Sequence, residues 1–410
     1  MTGIDRVEYA LARWLSDHQD VIDGGCAFLV QTRHARGLID PARMAMTLQA
    51  MALARGLLSG PTAMMDRVAH ELWQSATPGI IGATRLAGLP PSNVGRRFMR
   101  LATEAIALQG GRAFKRLLSE RSARLRYLHV SHYGLQWPKR FEWVARHDVK
   151  ATFFIHDVIP IDFPQYCSAG AHVSHMRKLE TVARLARRVA VNSCYSAERL
   201  MAALEVQELR VPTIAVHRLG VGALSGGEFR PNSLSSNADL TLVPYFLYVG
   251  TIEGRKNVAL LLDVWRRLAA EFPAEHVPRL VLAGTRGWSN DAVLRDLDEM
   301  TDIGRYIIEV NGLNDAELAL LISGARALLM PSHAEGYSMA VAEAQALGSP
   351  VIVSDIPAHV ELDPAGMLVP RTVEDWKNAI ISYPGLVSPP APQPRWDDFA
   401  QKLVAFASAG

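Results

Sequence analysis

One stretch narrows the fold more than any other: residues 331–355, PSHAEGYSMAVAEAQALGSPVIVSD. It follows an apolar run, 325–330, that suits a strand buried in a parallel sheet. A short turn, His333-Ala334-Glu335-Gly336, leads into a helix rich in Ala, Met, Val and Leu. Gly348 ends that helix, and Pro350 before Val351-Ile352-Val353 opens another strand. The unit predicts an open α/β sheet with two carboxylates beside its helix, Glu335 in the loop and Glu343 one or two turns in. At a rise of about 1.5 Å per residue, both can lie along one ligand. Gly336 and the backbone N–H groups of Tyr337, Ser338, Met339 and Ala340 stand at the positive end of the helix, which suits a diphosphate. Each carboxylate can accept from hydroxyls, one from a sugar and one from a ribose. The alternative is an ordinary α/β unit with a capping Glu and a surface Glu.

A second glycine turn supplies the cations. Tyr245-Phe246-Leu247-Tyr248-Val249 reads as a strand, then comes Gly250-Thr251-Ile252-Glu253-Gly254-Arg255-Lys256-Asn257 before a helix at 258–272. Backbone donors at Gly250 and Thr251, with Arg255 and Lys256, suit a phosphate group. The loop is neither a Walker A loop nor a GxGxxG fingerprint, so kinase and dinucleotide readings lose ground. Cations at a helix start oppose its dipole, which argues against a basic turn of no consequence.

In the first half, the apolar run 151–155 ends in His156-Asp157, where doubly wound sheets place their working groups. An imidazole can hydrogen-bond a sugar hydroxyl and a carboxylate can orient an acceptor hydroxyl. The competing reading is a core histidine and an Asp that caps the next turn. His132, at the end of a strand over 127–132, is a candidate for either acceptor or donor, and Pro164 and Tyr166 are acceptor-side candidates. Residues 78–91 read as a surface loop, and the helix 172–188, with Arg177, Lys178, Arg184, Arg187 and Arg188, as a solvated face. Gly3, just before a helix start, allows a phosphate or sugar to approach the backbone.

A chain of 410 residues predicts two domains of about 200 residues each. Expected boundaries are a first domain at 1–222, a Gly/Ser/Asn/Pro-rich linker at 223–241, a second domain at 242–383 and a closing segment at 384–410. With 49% apolar and 20% charged residues the composition is that of a globular protein. Three cysteines without CxxC spacing fit a reduced, cytoplasmic compartment. A net charge of +2 gives no case for nucleic acid. Residues 91–150 hold thirteen Lys or Arg against four acids. With Phe98, Met99, Leu101, Phe114, Leu117 and Leu118 among them, that stretch is either a peripheral contact for the inner membrane or a solvated helix surface. Asp296-Leu297-Asp298 sits in a charged helical pattern and no Cys/His spacing suggests zinc, so no metal is expected.

Glu335-Gly336-Tyr337-Ser338 through Glu343-Ala344 resembles the paired-glutamate motif of the family-4 retaining glycosyltransferases. His156-Asp157-Val158-Ile159-Pro160-Ile161 resembles their HDxIPI segment, present in many members with mannose-type donors. Val191 to Ser196 resembles their VSxxS segment. Residues 250–257 resemble GTxExRKN, with Gly254 where members often have Pro. Thr2-Gly3-Ile4 is similar to a loop that faces the donor across the cleft. The matches fall in the family's order and span nearly the whole sequence.

The resemblance implies the α/β GT-B fold, two Rossmann-like doubly wound domains facing across a cleft. It implies a nucleotide-sugar donor, with GDP-mannose or a related GDP-sugar favoured over UDP- and dTDP-sugars, and a glycan or lipid-linked acceptor in bacterial surface polysaccharide synthesis. The nucleotide sugar is a substrate, so no cofactor is implied. Arg255 and Lys256 would stabilise the leaving diphosphate, Glu335 would hold the donor sugar and Glu343 the ribose. Asn311, Gly312 and Leu313 would contact the base, and His156 and Asp157 the acceptor or sugar. The closing segment would cross back to the first domain, anchored by Trp396. A non-catalytic scaffold of the same fold and a GT-B phosphorylase are the competing readings.

Overall fold

The apolar runs become parallel strands because only a sheet covered on both faces buries them completely. The computed structural model describes residues 3–22, 25–32, 35–54, 63–75, 84–87, 106, 108–131, 133–222, 243–362, 367–383 and 390–409. Strands β1 (Phe28–Gln31) and β2 (Arg36–Ile39) form an antiparallel hairpin, and β3 (Thr84–Ala87) follows apart from them. Next come β4 (Arg126–His129), β5 (Lys150–Ile155), β6 (Ala186–Val191) and β7 (Thr213–Val216), a parallel sheet in that order. The second sheet holds β8 (Tyr245–Val249), β9 (Arg279–Ala283), β10 (Ile307–Asn311), β11 (Leu328–Met330) and β12 (Val351–Val353). Its order is β12-β11-β8-β9-β10-β3, all parallel. Helices cross between successive strands of each sheet, which gives two Rossmann-like units.

The edge strand β3 corrects the sequence reading. Residues 84–87, expected in a surface loop of the first domain, pair with 308–311 of β10 in the second sheet. The helix Ala63–Ser75 goes with them: Met65, Val68 and Leu72 join Leu86 in the core of the second sheet. Arg279 donates to both Ser75 oxygens, at 2.8 Å to Oγ and 2.6 Å to the carbonyl. A four-residue strand has no readable period; pairing with a neighbour decides its conformation. The expected linker, 223–241, lies outside the described residues, as do Phe98, Met99 and Leu101.

The basic stretch changes character on folding. In the helix Gly111–Arg121, Phe114 and Leu118 are buried in the core of the first sheet rather than offered to a surface. Their i, i+4 spacing is that of an inward helix stripe. The helix Trp396–Ser408 returns to the first half. Its Trp396 is buried and donates to the Gly222 carbonyl at 3.3 Å, and Phe399 meets Phe154 edge-on at 5.8 Å. Among the described residues, no helix is long and apolar enough to cross a membrane.

Candidate functional site

At the end of β8 the chain turns through Gly250, whose φ of +151° lies where side chains are disfavoured. A 3₁₀ turn over Gly254–Lys256 then points two cations back at the end of β11. Arg255 donates through Nη1 to Glu335 Oε2 at 2.6 Å and to the Ala334 carbonyl at 3.1 Å, and its Nη2 lies 2.8 Å from Glu253 Oε1. Lys256 donates to Glu335 Oε1, which also accepts from Ser332 Oγ at 2.8 Å. Burial alone would raise the Glu335 carboxyl, but Lys256 and Arg255 overcome it and hold the group at about 2. Burial lowers Lys256 in spite of Glu335, and burial raises Glu253. His359, fully buried with Nδ1 3.1 Å from the Ser354 carbonyl, completes the surroundings of Glu335.

The two expected carboxylates do different work. Glu335 meets both cations, whereas Glu343 pairs with Arg6 of the N-terminal helix Gly3–Asp17. Arg6 also lies 3.7 Å from Asp315, the first residue of the helix after Asn311, Gly312 and Leu313. Burial raises Glu343, with Arg6 opposing. Sequence reasoning placed Gly3 at the cleft. The structure shows that its helix reaches the second domain through Arg6, one turn further on. Between the carboxylates, Tyr337 Oη and Ser338 Oγ are buried with no hydrogen-bond partner among the described residues. Ser338 is the N-cap of the helix Met339–Ala346 and makes no side-chain cap.

Gly336 is where the two halves touch. A Cβ there would lie 2.6 Å from the His156 carbonyl and 2.7 Å from Asp157 Cβ, so only glycine lets the loop approach. The Gly336 carbonyl accepts from Ser193 Oγ at 2.6 Å and Ser196 Oγ at 3.2 Å. Ser193 is the N-cap of the helix Cys194–Val206. From the second domain, Glu361 accepts from the Cys194 and Tyr195 backbone N–H groups at 2.8 and 3.0 Å. Tyr166 stacks on His333 at 4.8 Å.

On the first-domain side, His156 donates from Nε2 to the Val130 carbonyl at 2.8 Å, and burial lowers its pKa. Asp157 accepts from the Ile159 N–H at 3.1 Å. The capping and core readings of this pair therefore describe part of what it does. Asp157 also acts on His175 and Lys178, two buried residues that the sequence reading left on a solvated face. Their spacing from buried Leu179 and Val182 is the signal that could have placed them inward. His132 lies outside the described residues.

Arg255, Lys256, Glu335, Gly336, His156 and Asp157 thus form one contiguous set, and Glu343 reaches it beyond Tyr337 and Ser338. Residues 243–383 match the family described as "Glycosyl transferases group 1". The molecule has the GT-B fold. It is similar to the serotype-specific mannosyltransferase WbdA of Escherichia coli, 26% identical over 243 residues, 55% of this chain and 29% of that one. It is also similar to O-antigen chain mannosyltransferase B of Escherichia coli, 33% identical over 118 residues, 29% of this chain and 30% of that one. The chain spans less than a third of the length of these curated relatives. Among solved structures, Anabaena HepE in complex with UDP aligns with a TM-score of 0.50 at 14% identity, over 85% of this chain and 92% of that one.

Proposed function

We propose that the protein transfers a hexose from a nucleotide sugar, GDP-mannose or a related GDP-sugar, to a glycan or lipid-linked glycan in bacterial surface polysaccharide synthesis, with retention of configuration. The observation that carries this reading is the contact of Arg255 and Lys256 with Glu335, beside the meeting point of Gly336 with His156 and Asp157. The mannosyltransferase relatives support the choice of sugar, by analogy.

In this reading the acceptor oxygen attacks the anomeric carbon on the face from which the diphosphate departs. The bond from that carbon to the phosphate oxygen breaks and its electron pair stays on the phosphate, which takes the acceptor proton. Arg255 and Lys256 stabilise the charge that develops there. A carboxylate offers about four acceptor sites. Arg255, Lys256 and Ser332 fill three at Glu335, leaving room for a donor-sugar hydroxyl. Glu343, held by Arg6, faces the ribose, and the backbone of Asn311 to Leu313 the base. Two protein cations at the diphosphate make the reaction metal-independent. The enzyme works in the cytoplasm, and contact with the inner membrane is through the basic side chains of the stretch 91–150, Phe114 and Leu118 being buried.

Incubation with GDP-mannose, UDP-glucose and dTDP-glucose, read by NMR at the anomeric proton, tests the proposal. The expected outcome is turnover of the GDP-sugar with the α-configuration kept. Turnover only of a UDP- or dTDP-sugar would move the donor, an inverted product would overturn the mechanism, and no turnover of any donor would favour the scaffold. Turnover that requires inorganic phosphate and no nucleotide sugar would favour a phosphorylase.

A further inference from the structure

The N-terminal helix Gly3–Asp17 is fixed to the first half of the molecule. Its Val7, Ala10, Leu11 and Trp14 share a core with Phe154, Trp396 and Phe399, and Arg13 pairs with Asp397 of the closing helix at 2.5 Å. Arg6 leaves that core for the other half. Its Nη1 donates to Glu343 Oε1, and its Nη2 lies 3.7 Å from Asp315 Oδ2. Nη2 also donates at 3.3 Å to the Gly222 carbonyl, which Trp396 Nε1 holds as well. Only 7% of Arg6 is exposed. A guanidinium taken so far out of water persists only where acids and carbonyls replace its hydration. Its three partners come from three distant parts of the chain, so its place is well determined.

What Arg6 holds is the carboxylate assigned to the ribose and the start of the helix after the base loop. Asp315 opens the helix Asp315–Gly324, which follows Asn311, Gly312 and Leu313. The guanidinium meets Glu343 at Oε1, and a carboxylate offers about four acceptor sites, so vicinal hydroxyls can still be met. Charge matters as much as aim. Burial raises the Glu343 carboxyl, Asp315 adds to the rise, and Arg6 opposes both. Tyr337, in the loop before the Glu343 helix, is the further titratable group coupled to it. A buried carboxyl takes up a proton unless a cation faces it. Once protonated, it offers a hydroxyl a neutral hydrogen bond, about half as strong as the charge-assisted one.

We propose that Arg6 is a positioning residue for nucleotide binding: from the first domain it holds Glu343 in place for the ribose hydroxyls, so both halves of the molecule recognise the nucleoside end of the donor. The inference deepens the glycosyl-transfer reading above and rests on its assignment of Glu343.

Calorimetric titration of GDP and UDP, each beside its 2′,3′-dideoxy analogue, into wild type, Arg6→Gln and Arg6→Lys tests the role. Wild type is expected to prefer a ribonucleotide over its dideoxy analogue by about 10-fold, the worth of a hydrogen bond to a charged group. That preference should hold from about pH 5.5 to 8. In Arg6→Gln it should shrink to about 2-fold at the acid end and recover as pH rises, because the carboxyl protonates without its cation. Arg6→Lys restores the charge and should keep the preference across the range. Circular dichroism verifies folding, and Arg6→Lys carries the test alone if Arg6→Gln does not fold. Equal weakening of ribo- and dideoxynucleotides in Arg6→Gln would make Arg6 a strut between the halves and overturn the proposal. Tighter ribonucleotide binding in that variant, or a preference lost at every pH in Arg6→Lys, would overturn it too. A wild type that binds nucleotides but ignores the ribose hydroxyls would overturn the roles of Glu343 and Arg6 and leave the donor reading standing. A wild type that binds none of the four would overturn the donor reading itself, and this role with it.

Discussion

The two sides of the cleft are built on opposite electrostatic plans. On the second-domain side, half-buried Arg255 and Lys256 are both bonded to buried Glu335, so two cations and a carboxylate are fixed before any ligand arrives. On the first-domain side, Lys178, Asp5 and Glu8 line a cavity, and burial leaves His129 and His175 neutral. A preorganised charge cluster suits a group whose charge grows during the reaction. A cavity of mixed hydrogen-bonding groups suits a ligand that stays uncharged. Under the proposed function, donor chemistry and acceptor choice reside in separate elements, so substitutions should separate them.

The largest separation is expected between two lysines. Lys256→Ala should lower kcat by about 10³-fold, in the range lost when a group that stabilises transition-state charge is removed. Lys178→Met should raise the acceptor KM and leave kcat within about 3-fold, because the residue binds rather than stabilises the leaving group. Steady-state kinetics with saturating donor distinguishes the two, and equal kcat losses would break the comparison.

The halves should also lose stability at different pH. Glu335 is depressed from 4.5 to about 2 in the fold, so its contribution is complete above pH 4.5 and disappears as pH falls toward 2. That contribution is on the order of 3 kcal/mol. Burial lowers His129 and His175 from 6.5 to about 4, so the unfolded chain binds their protons first. The first half therefore weakens as pH drops from 6.5 toward 4. In that window His333 and His359, both lowered by burial, also weaken the second half, and only the second half has the Glu335 loss at lower pH. Hydrogen exchange read by region should show that later loss confined to the second half, and Glu335→Gln should flatten it.

The smallest effect concerns the contact between the halves. Glu361 accepts two backbone N–H groups at the start of the Cys194–Val206 helix. Glu361→Gln should weaken this clamp by about 1 kcal/mol. Small-angle scattering should then show a wider molecule, with both half-sites still binding their ligands. An unchanged profile would remove Glu361 as a clamp.

Much of the fold was legible because parallel strands buried on both faces leave continuous apolar runs, as at 151–155 and 245–249. The Gly250 turn and residues 331–355 were legible because a glycine, two cations and a carboxylate near strand ends have few other uses. Strand β3 was not, since its four residues take their conformation from β10. Arg6 was not, because its partner Glu343 lies 337 positions away. Lys178 was hidden among neighbouring arginines whose side chains point outward while its own points in.

The central claim is that Arg255, Lys256 and Glu335 form the seat of a pyrophosphate. Calorimetric titration of GDP and GDP-mannose into wild type and Lys256→Ala tests it most directly. The account predicts that the substitution weakens both nucleotides by about 100-fold, as expected for loss of a buried charge-assisted contact. Equal affinity in the two proteins would contradict it.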